Sequence, residues 1–257
     1  MTFVAALFFL GVMTGMVGAL LGIGGGIFLV PLLTLLFHLP IRTAVGTSLV
    51  GVIATSAGVA AMMPPGRGAN IPLALRLEMT ATAGAVTGGL IAGSISPRGL
   101  SIIFAIAVLA TAGYTLYKAR RQTRIDAETL FARHYQIHHW PLGMGLCFFA
   151  GLASGLLGVG GGFIKVPIMY SIMGVPLGIA TATSNFMSGI TAAASVFVYY
   201  GRGDVYPEIV IPTALGIFTG AMLGVRLMPH LRVSWLRMAL VGLLTVIGLQ
   251  MLVTNIR

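Results

Sequence analysis

Apolar residues run along this chain in ten stretches, separated by short polar segments. The first five cover residues 3–23, 24–37, 43–63, 71–95 and 100–117, and the second five cover residues 140–159, 160–173, 179–200, 209–227 and 238–253. A membrane-spanning helix needs about 20 apolar residues, so most of these stretches predict membrane helices. The stretches 24–37 and 160–173 are shorter, and each begins at three consecutive glycines. We therefore predict half-length helices there.

The composition agrees with a lipid environment, since 57% of the 257 residues are hydrophobic and only 8% are charged. So little charge cannot cover a water-soluble globule of this size. The first stretch lacks a basic segment before it and has a counterpart inside the chain, so we expect it to be retained and not cleaved as a signal peptide. The net charge of +10 comes without interleaved aromatic and basic residues, which argues against nucleic-acid binding.

Two glycine-rich sequences share one form: GALLGIGGGIFLVPLL at residues 18–33 and SGLLGVGGGFIKVPIM at residues 154–169. They lie 136 residues apart, and the same offset relates Gly15 to Gly151, Pro31 to Pro167, Pro40 to Pro176, and Thr47-Ser48 to Thr183-Ser184. Farther along, GRG at 66–68 matches GRG at 201–203, and TGG at 87–89 matches TGA at 219–221 with an offset of 132. We therefore predict an all-α polytopic membrane protein with two homologous halves of four to five hydrophobic segments, residues 1–117 and 140–257.

The linker between the halves, residues 118–139, predicts the orientation. Its basic residues are Lys118, Arg120, Arg121, Arg124 and Arg133. Such loops are typically cytoplasmic. If the half-length helices cross the membrane, each half has five crossings and the second half is inverted; if they are re-entrant, the chain has eight spans and parallel halves.

The glycine breaks are the strongest functional signal. Repeated halves with glycine- and proline-interrupted segments at matching positions are typical of secondary transporters, whose substrate site lies where discontinuous helices meet. Amides freed at each restart carry partial positive charge, so Gly24, Gly25 and Gly26 with Gly160, Gly161 and Gly162 predict an anion cradle. Close helix packing is the alternative, and it suits the spaced glycines Gly15, Gly18 and Gly22 better.

These motifs resemble the TauE/SafE family of sulfite and organosulfonate exporters. The resemblance is carried by GxxxGxxGxGGGxxxVP at residues 151–167, by its first copy, and by ATATSNF at 180–186 and AVGTSL at 44–49. It covers essentially the whole chain. The resemblance implies a multi-pass protein of the bacterial inner membrane that exports small sulfur-containing anions and is driven by an ion gradient.

Lys165 breaks the symmetry of the repeat, because Leu29 stands at the matching position. A lysine inside an apolar segment is expensive in lipid, so we predict that it contacts an anion in a cavity. The alternative is that Lys165 extends to the membrane interface.

Neutral donors recur in both halves: Thr47 and Ser48 in the first, and Thr183, Ser184 and Asn185 in the second. We predict that they contribute to the anion site, since neutral donors allow the anion to leave again. Hydrogen bonding between helices is an equal alternative for the threonine and serine hydroxyls, whereas for Asn185 we favour a role in the site.

Glu78 is the acidic residue that lies well inside a hydrophobic run, which makes it the candidate proton-coupling group. The alternative is a position at the membrane edge, close to Asn70 and Pro72. Arg76, two residues away, points to another part of the helix surface and is not an obvious partner. Arg226 lies close to Pro229, so we expect it to extend to the interface.

We predict no metal and no cofactor. His134 and His138 have helical spacing, but no acidic or cysteine ligand completes the set, so an interfacial stretch ending at Trp140 is favoured. The single cysteine, Cys147, excludes an internal disulfide and favours packing.

The competing functions are an anion channel, an intramembrane enzyme and a membrane scaffold. An enzyme lacks support, because no histidine lies deep in a hydrophobic run and the cysteine has no partner. A scaffold would not need duplicated glycine breaks. We therefore predict a transporter without catalytic residues, whose partners are a small anion, membrane lipid and a coupling proton or ion. The oligomeric state stays open, with a homodimer as one alternative.

Overall fold

The computed structural model describes residues 2–21, 24–62, 68–121, 135–227 and 233–256. These residues form ten α-helices and no strand: α1 Thr2–Leu21, α2 Gly26–Leu36, α3 Ile41–Met62, α4 Ile71–Ser94, α5 Pro97–Arg121, α6 Trp140–Leu157, α7 Gly162–Pro167, α8 Leu177–Gly201, α9 Pro207–Leu227 and α10 Val233–Ile256. The all-α prediction is confirmed. Among the described residues, four helices are long and apolar enough to span a membrane, namely α1, α3, α6 and α9.

The two predicted half-length helices are confirmed. Helix α2 has 11 residues and starts at Gly26, the last residue of the first triple glycine. Helix α7 has six residues and continues as a π-helical segment, Ile168–Ile172. Pro167 stands where the two meet and has no backbone N–H to donate, which accounts for the change in hydrogen bonding there.

Close helix crossings fix the relative directions of the helices. In α1 and α9, Gly11 packs on Thr213, and Gly224 packs on Met16, so these two helices run the same way. Helix α3 runs parallel to α9 as well, because its beginning lies at Asp204 and its end lies at Ala221.

A second set of helices runs in the opposite direction. Gly84 of α4 packs on Phe148 of α6, and Gly88 packs on Leu152, so α4 and α6 are parallel. Asn70 and Gly93, at the two ends of α4, lie beside the beginning and the end of α8. Helix α3 is antiparallel to this set, because Ser56 near its end donates to the carbonyl of Asn185 near the start of α8.

The contacts between helices follow the 136-residue offset. Gly15 packs on Ile217, and Gly151 packs on Ala81. Gly15 corresponds to Gly151 at that offset and Ala81 corresponds to Ile217, so the two contacts are equivalent with the halves exchanged. Gly84 packs on Phe148, and Gly220 packs on Val12. Because Val12 and Phe148 are also 136 residues apart, Gly84 and Gly220 correspond at the same offset. The match of TGG at 87–89 with TGA at 219–221, at offset 132, is therefore wrong by one helical turn.

The directions of α1, α3 and α4 are the reverse of those of α6, α8 and α9. This is the relation expected for inverted halves, and parallel halves would not produce it. The division into two repeats, and the side of the membrane on which the linker lies, stay predictions. The match of GRG at 66–68 falls partly outside the described residues.

Candidate functional site

Both glycine breaks use backbone conformations in the left-handed region. Gly24 has φ 74°, and Gly160 and Gly161 have φ 77° and 72°. Glycine enters this region without the steric cost that a Cβ atom would bring. In the second break the chain leaves α6 at Gly158, turns through Gly160 and Gly161, and enters α7 at Gly162. The fold therefore needs glycine where the sequence has it.

The two breaks touch each other. A methyl group on Gly26 would collide with the carbonyl oxygen of Gly158 and would lie 2.7 Å from the Ser48 hydroxyl. Ser48, on α3, donates a hydrogen bond of 2.7 Å to that carbonyl. The start of α2 and the end of α6 thus meet in one buried region, which Ser48 links to α3.

This region lies halfway along the long helices. A methyl group on Gly24 would be 3.7 Å from Cγ1 of Val52, and one on Gly160 would be 2.6 Å from the same atom. Val52 is central in α3, which spans Ile41–Met62. Ser188, whose Cβ would be 3.3 Å from a methyl group on Gly160, is central in α8. If α3 crosses the bilayer, the breaks meet near its midplane.

A buried ion pair lies one helical turn beyond the second break. The Lys165 ammonium donates to Oε2 of Glu78 at 3.2 Å. It also donates to the Thr191 hydroxyl, which in turn donates to Oε1 of Glu78. Thr82 donates to Oε1 as well, at 3.2 Å. The relative exposure of the Lys165 and Glu78 side chains is 0% and 4%.

Three helices from both predicted halves hold these side chains. Lys165 lies in the first turn of α7, where its backbone N–H donates to the Gly161 carbonyl at 3.0 Å. Glu78 lies two turns into α4, and Thr191 lies on the face of α8 that packs against α4. The glycine break therefore sets the position of Lys165, and the packing of α4 on α8 brings the carboxylate to it.

This pair bears on two sequence-based alternatives. Lys165 is fully buried and paired with Glu78, which argues against its extension to the interface. Glu78 is buried between helices as well, and its depth in the membrane stays a prediction. Sequence reasoning considered both residues and missed that they pair with each other. The available signal was that each lies inside an apolar run, since two opposite charges buried there are each expensive alone and compensate each other together.

The predicted neutral donors are all buried, but they have different partners. Thr183 Oγ1 accepts from the backbone N–H of Asn70 at 2.9 Å, and Ser184 lies 3.5 Å from the Gly162 carbonyl. Asn185 lies beside Ser56, which donates to its backbone carbonyl. The hydroxyl of Thr47 is buried and has no hydrogen-bond partner.

Two further hydroxyls, which sequence reasoning did not single out, flank the second break. Ser154 and Ser188 are 0% and 3% exposed, and neither hydroxyl has a hydrogen-bond partner. The Cβ of Ser154 would lie 3.3 Å from a methyl group on Gly161. Ser188 stands three residues before Thr191 on α8. Buried donors without partners are costly, and these two hydroxyls are free to donate a hydrogen bond to a ligand.

The remaining candidates lie apart from this cluster. The guanidinium of Arg76 stacks on Trp140, 5.3 Å from the ring centroid, and Arg226 is exposed. Cys147 is buried and free. His138 is described and exposed, whereas His134 lies outside the described residues. Within the part of the chain that is described, no three His, Cys, Asp or Glu side chains gather as metal ligands.

Comparison with known proteins gives one consistent result over nearly the full length. The family model described as "Sulfite exporter TauE/SafE" matches residues 7–251. The probable membrane transporter protein YunE of Bacillus subtilis is 27% identical over 269 residues, which cover 96% of each chain. A probable membrane transporter protein of Methanocaldococcus jannaschii is 28% identical, covering 96% of this chain and 94% of its own.

A plant relative matches over a shorter range. The "Sulfite exporter TauE/SafE family protein 3" of Arabidopsis thaliana is 31% identical over 103 residues, which cover 39% of this chain and 21% of its own. No solved structure matches. The names of these relatives describe membrane transporters, and a sulfite exporter family in the plant case.

Proposed function

Because the chain belongs to the sulfite exporter TauE/SafE family, we propose that it is a secondary transporter that exports small sulfur-containing anions, sulfite or organosulfonates, across the bacterial inner membrane. The observation that carries this proposal is the meeting of two helix breaks halfway along α3 and α8. A soluble-type helix bundle gains nothing from interrupting two apolar segments at the same depth. In a transporter this is where the substrate site lies.

The chemistry around the breaks suits an anion. The restarting helices α2 and α7 direct backbone N–H groups and the positive ends of their dipoles toward the break region. Lys165 places an ammonium one turn away, which Glu78 neutralises in this conformation. Thr47, Ser154 and Ser188 offer buried hydroxyls without protein partners, and a sulfite or sulfonate group has three oxygens that accept hydrogen bonds.

Binding is tested first on the detergent-purified protein by its melting temperature with sulfite, thiosulfate, sulfoacetate, taurine and sulfate. Any anion that raises the melting temperature is then loaded into proteoliposomes, and uptake of the labelled anion is measured as counterflow. We expect saturable counterflow for at least one sulfur oxyanion. A channel would give downhill flux without counterflow, and that result would replace the carrier by the channel alternative.

Variants connect the flux to the breaks. Gly26→Ala places a methyl group against the Gly158 carbonyl, so we expect counterflow to fall at least tenfold. Gly113→Ala is the matched control, because nothing lies within 4 Å of that position. An equal loss of counterflow in both variants, or no loss in either, would show that the flux does not depend on the glycine breaks. No binding and no flux with any sulfur anion would refute the proposed substrate class.

A further inference from the structure

The ion pair of Lys165 and Glu78 lies between the two predicted halves, because Glu78 belongs to α4 and its partners belong to α7 and α8. Motion of one half against the other would change the distance between the two charges. In the structure the pair is closed, and the Lys165 ammonium is neutralised by a carboxylate of the protein itself. An anion that binds Lys165 must therefore compete with Glu78.

We propose that Glu78 and Lys165 couple transport to a proton, so that the site carries one monovalent anion and one proton together in the same direction without net charge. This inference rests on the proposed function and adds the coupling ion and the charge of the substrate to it. A proton leaves with each exported anion, so net export proceeds when the outward gradient of the anion exceeds the inward gradient of the proton.

The argument starts from the net charge of the four possible states. With neither ligand bound, the site holds Lys165 as a cation and Glu78 as an anion, and it is neutral. A proton alone leaves an unpaired buried cation, and a monovalent anion alone leaves an unpaired buried negative charge. With both bound the site is neutral again. Because an uncompensated buried charge is strongly unfavourable, the two neutral states dominate.

The exchange itself needs no further reactant. A proton from the aqueous side adds to Oε2 of Glu78, and the hydrogen bond from Lys165 Nζ to that oxygen is lost. Nζ then donates to an oxygen of the anion. Thr191, which contacts both members of the pair, stays within reach of each. On release the proton returns to water and the pair closes.

The other titratable and charged groups near the pair are consistent with one anion per proton. From α6, the buried Cys147 thiol packs in the same cluster as Leu77 and Ala81 of α4, and the Arg76 guanidinium is held away on Trp140. The unpartnered hydroxyls of Ser154 and Ser188 flank the break beside Lys165 and supply neutral donors to the anion. A divalent anion would leave the protonated site with a net negative charge. The substrate class is therefore a monovalent sulfur oxyanion, such as hydrogensulfite or a monosulfonate.

The test uses wild-type protein in liposomes and methanesulfonate, which is monovalent throughout the working pH range. A pH gradient and a potassium–valinomycin potential are imposed separately. We expect an acidic outer solution to drive accumulation, about tenfold per pH unit for a ratio of one to one, and the potential to have no effect. Counterflow without pH-driven accumulation, or accumulation driven by the potential, would overturn the coupling and leave the transport function standing. Absence of counterflow for both methanesulfonate and hydrogensulfite would overturn both.

Two variants test whether the ion pair of Lys165 and Glu78 is responsible for the coupling. Glu78→Gln replaces the carboxylate by a carboxamide, which stays neutral and carries no proton. We therefore expect the ratio of pH-driven uptake to counterflow to fall at least tenfold. Glu208→Gln, at an exposed acid near the start of α9, is the matched control and is expected to keep the wild-type ratio. An unchanged ratio in Glu78→Gln would overturn the assignment. The wild-type measurement decides the coupling even if a variant folds poorly.

Discussion

The Lys165–Glu78 pair can be tested by stability alone, before any substrate is known. The perturbation is Lys165→Leu, which copies Leu29 of the predicted first half, and Glu78→Ala, which copies Ala214; both copied residues stand at the 136-residue offset. The double variant therefore reproduces an apolar pair that the chain already carries at the matching positions. Each single variant leaves one charge buried without its ionic partner.

Two independent estimates give the same magnitude. At the observed 3.2 Å, Coulomb's law with an effective dielectric constant near 20 gives about 5 kcal/mol. Removal of one partner from a buried ion pair typically costs about 3–5 kcal/mol. Replacement of both partners by apolar residues is often close to neutral. We therefore expect each single variant to lose about 3–5 kcal/mol of unfolding free energy and the double variant to lie within about 1 kcal/mol of wild type.

The single buried cysteine supplies the assay. Cys147 is 0% exposed, so a thiol-reactive fluorescent dye labels it only when the core opens. For a chain of this size about 1 kcal/mol changes the melting temperature by about 2–4 °C, so each single variant should melt about 6–20 °C below wild type. Circular dichroism serves as a control against local opening near Cys147.

The pH dependence has a definite sign. In Lys165→Leu the stranded group is a carboxylate that a proton neutralises, so its deficit should shrink in acid. In Glu78→Ala the stranded group is an ammonium that can lose its proton, so its deficit should shrink in alkali. Single variants that melt within about 2 °C of wild type, or a double variant that melts as low as the singles, would refute the reasoning.

Three further predictions concern packing and orientation. Gly151→Ala places a methyl group on the backbone of Ala81, so it should destabilise by about 1–3 kcal/mol, whereas Gly145→Ala, in the same helix with nothing within 4 Å, should melt at or slightly above the wild-type temperature; equal melting would contradict the α4–α6 crossing. Asp126 lies in the linker, outside the described residues. A cysteine placed there, in a Cys147→Ser background, should resist an impermeant thiol reagent in intact cells, because the linker is predicted to be cytoplasmic. Labelling of this cysteine would reverse the predicted orientation. Reporter fusions at Asp204 and at the C-terminus should both lie outside if the halves are inverted, and both inside would support eight spans.

The sequence was sufficient for features with a local cause. Apolar stretches of about 20 residues predicted helices, and the triple glycines at 24–26 and 160–162 predicted where two of them are interrupted. Both signals depend on residues adjacent in the chain. The offset of 136, found in the sequence only for residues 15–48, also relates contacts of α4 and α9. The offset of 132 predicted there from TGG and TGA failed, because these motifs are short enough to match by chance.

Features that depend on packing between distant helices could not be predicted. Lys165 and Glu78 are 87 residues apart, and nothing in either local sequence names the other. The hydroxyls of Ser154 and Ser188, which have no hydrogen-bond partner, could not be predicted either. Serines in apolar helices commonly donate to the preceding turn, so the local sequence does not single these two out. Only the packing of α6, α7 and α8 shows which of these hydroxyls have a hydrogen-bond partner and which do not.

The asymmetry between the halves bears on how one chain could alternate its access. The contact of α4 with α7 and α8 carries the charged pair with Thr191, while at the matching positions of α9, α2 and α3 the sequence has Ala214, Leu29 and Thr55. Two equal charged sites would each hold an anion, and opening one side would not exclude occupancy of the other. Because only one of the two matching interfaces carries charges, a single charged site lies between the predicted halves. The corresponding helices of those halves run in opposite directions. In the proposed transport cycle the same pair of charges is exposed to either side in turn, which is the condition that coupling one proton to one anion requires.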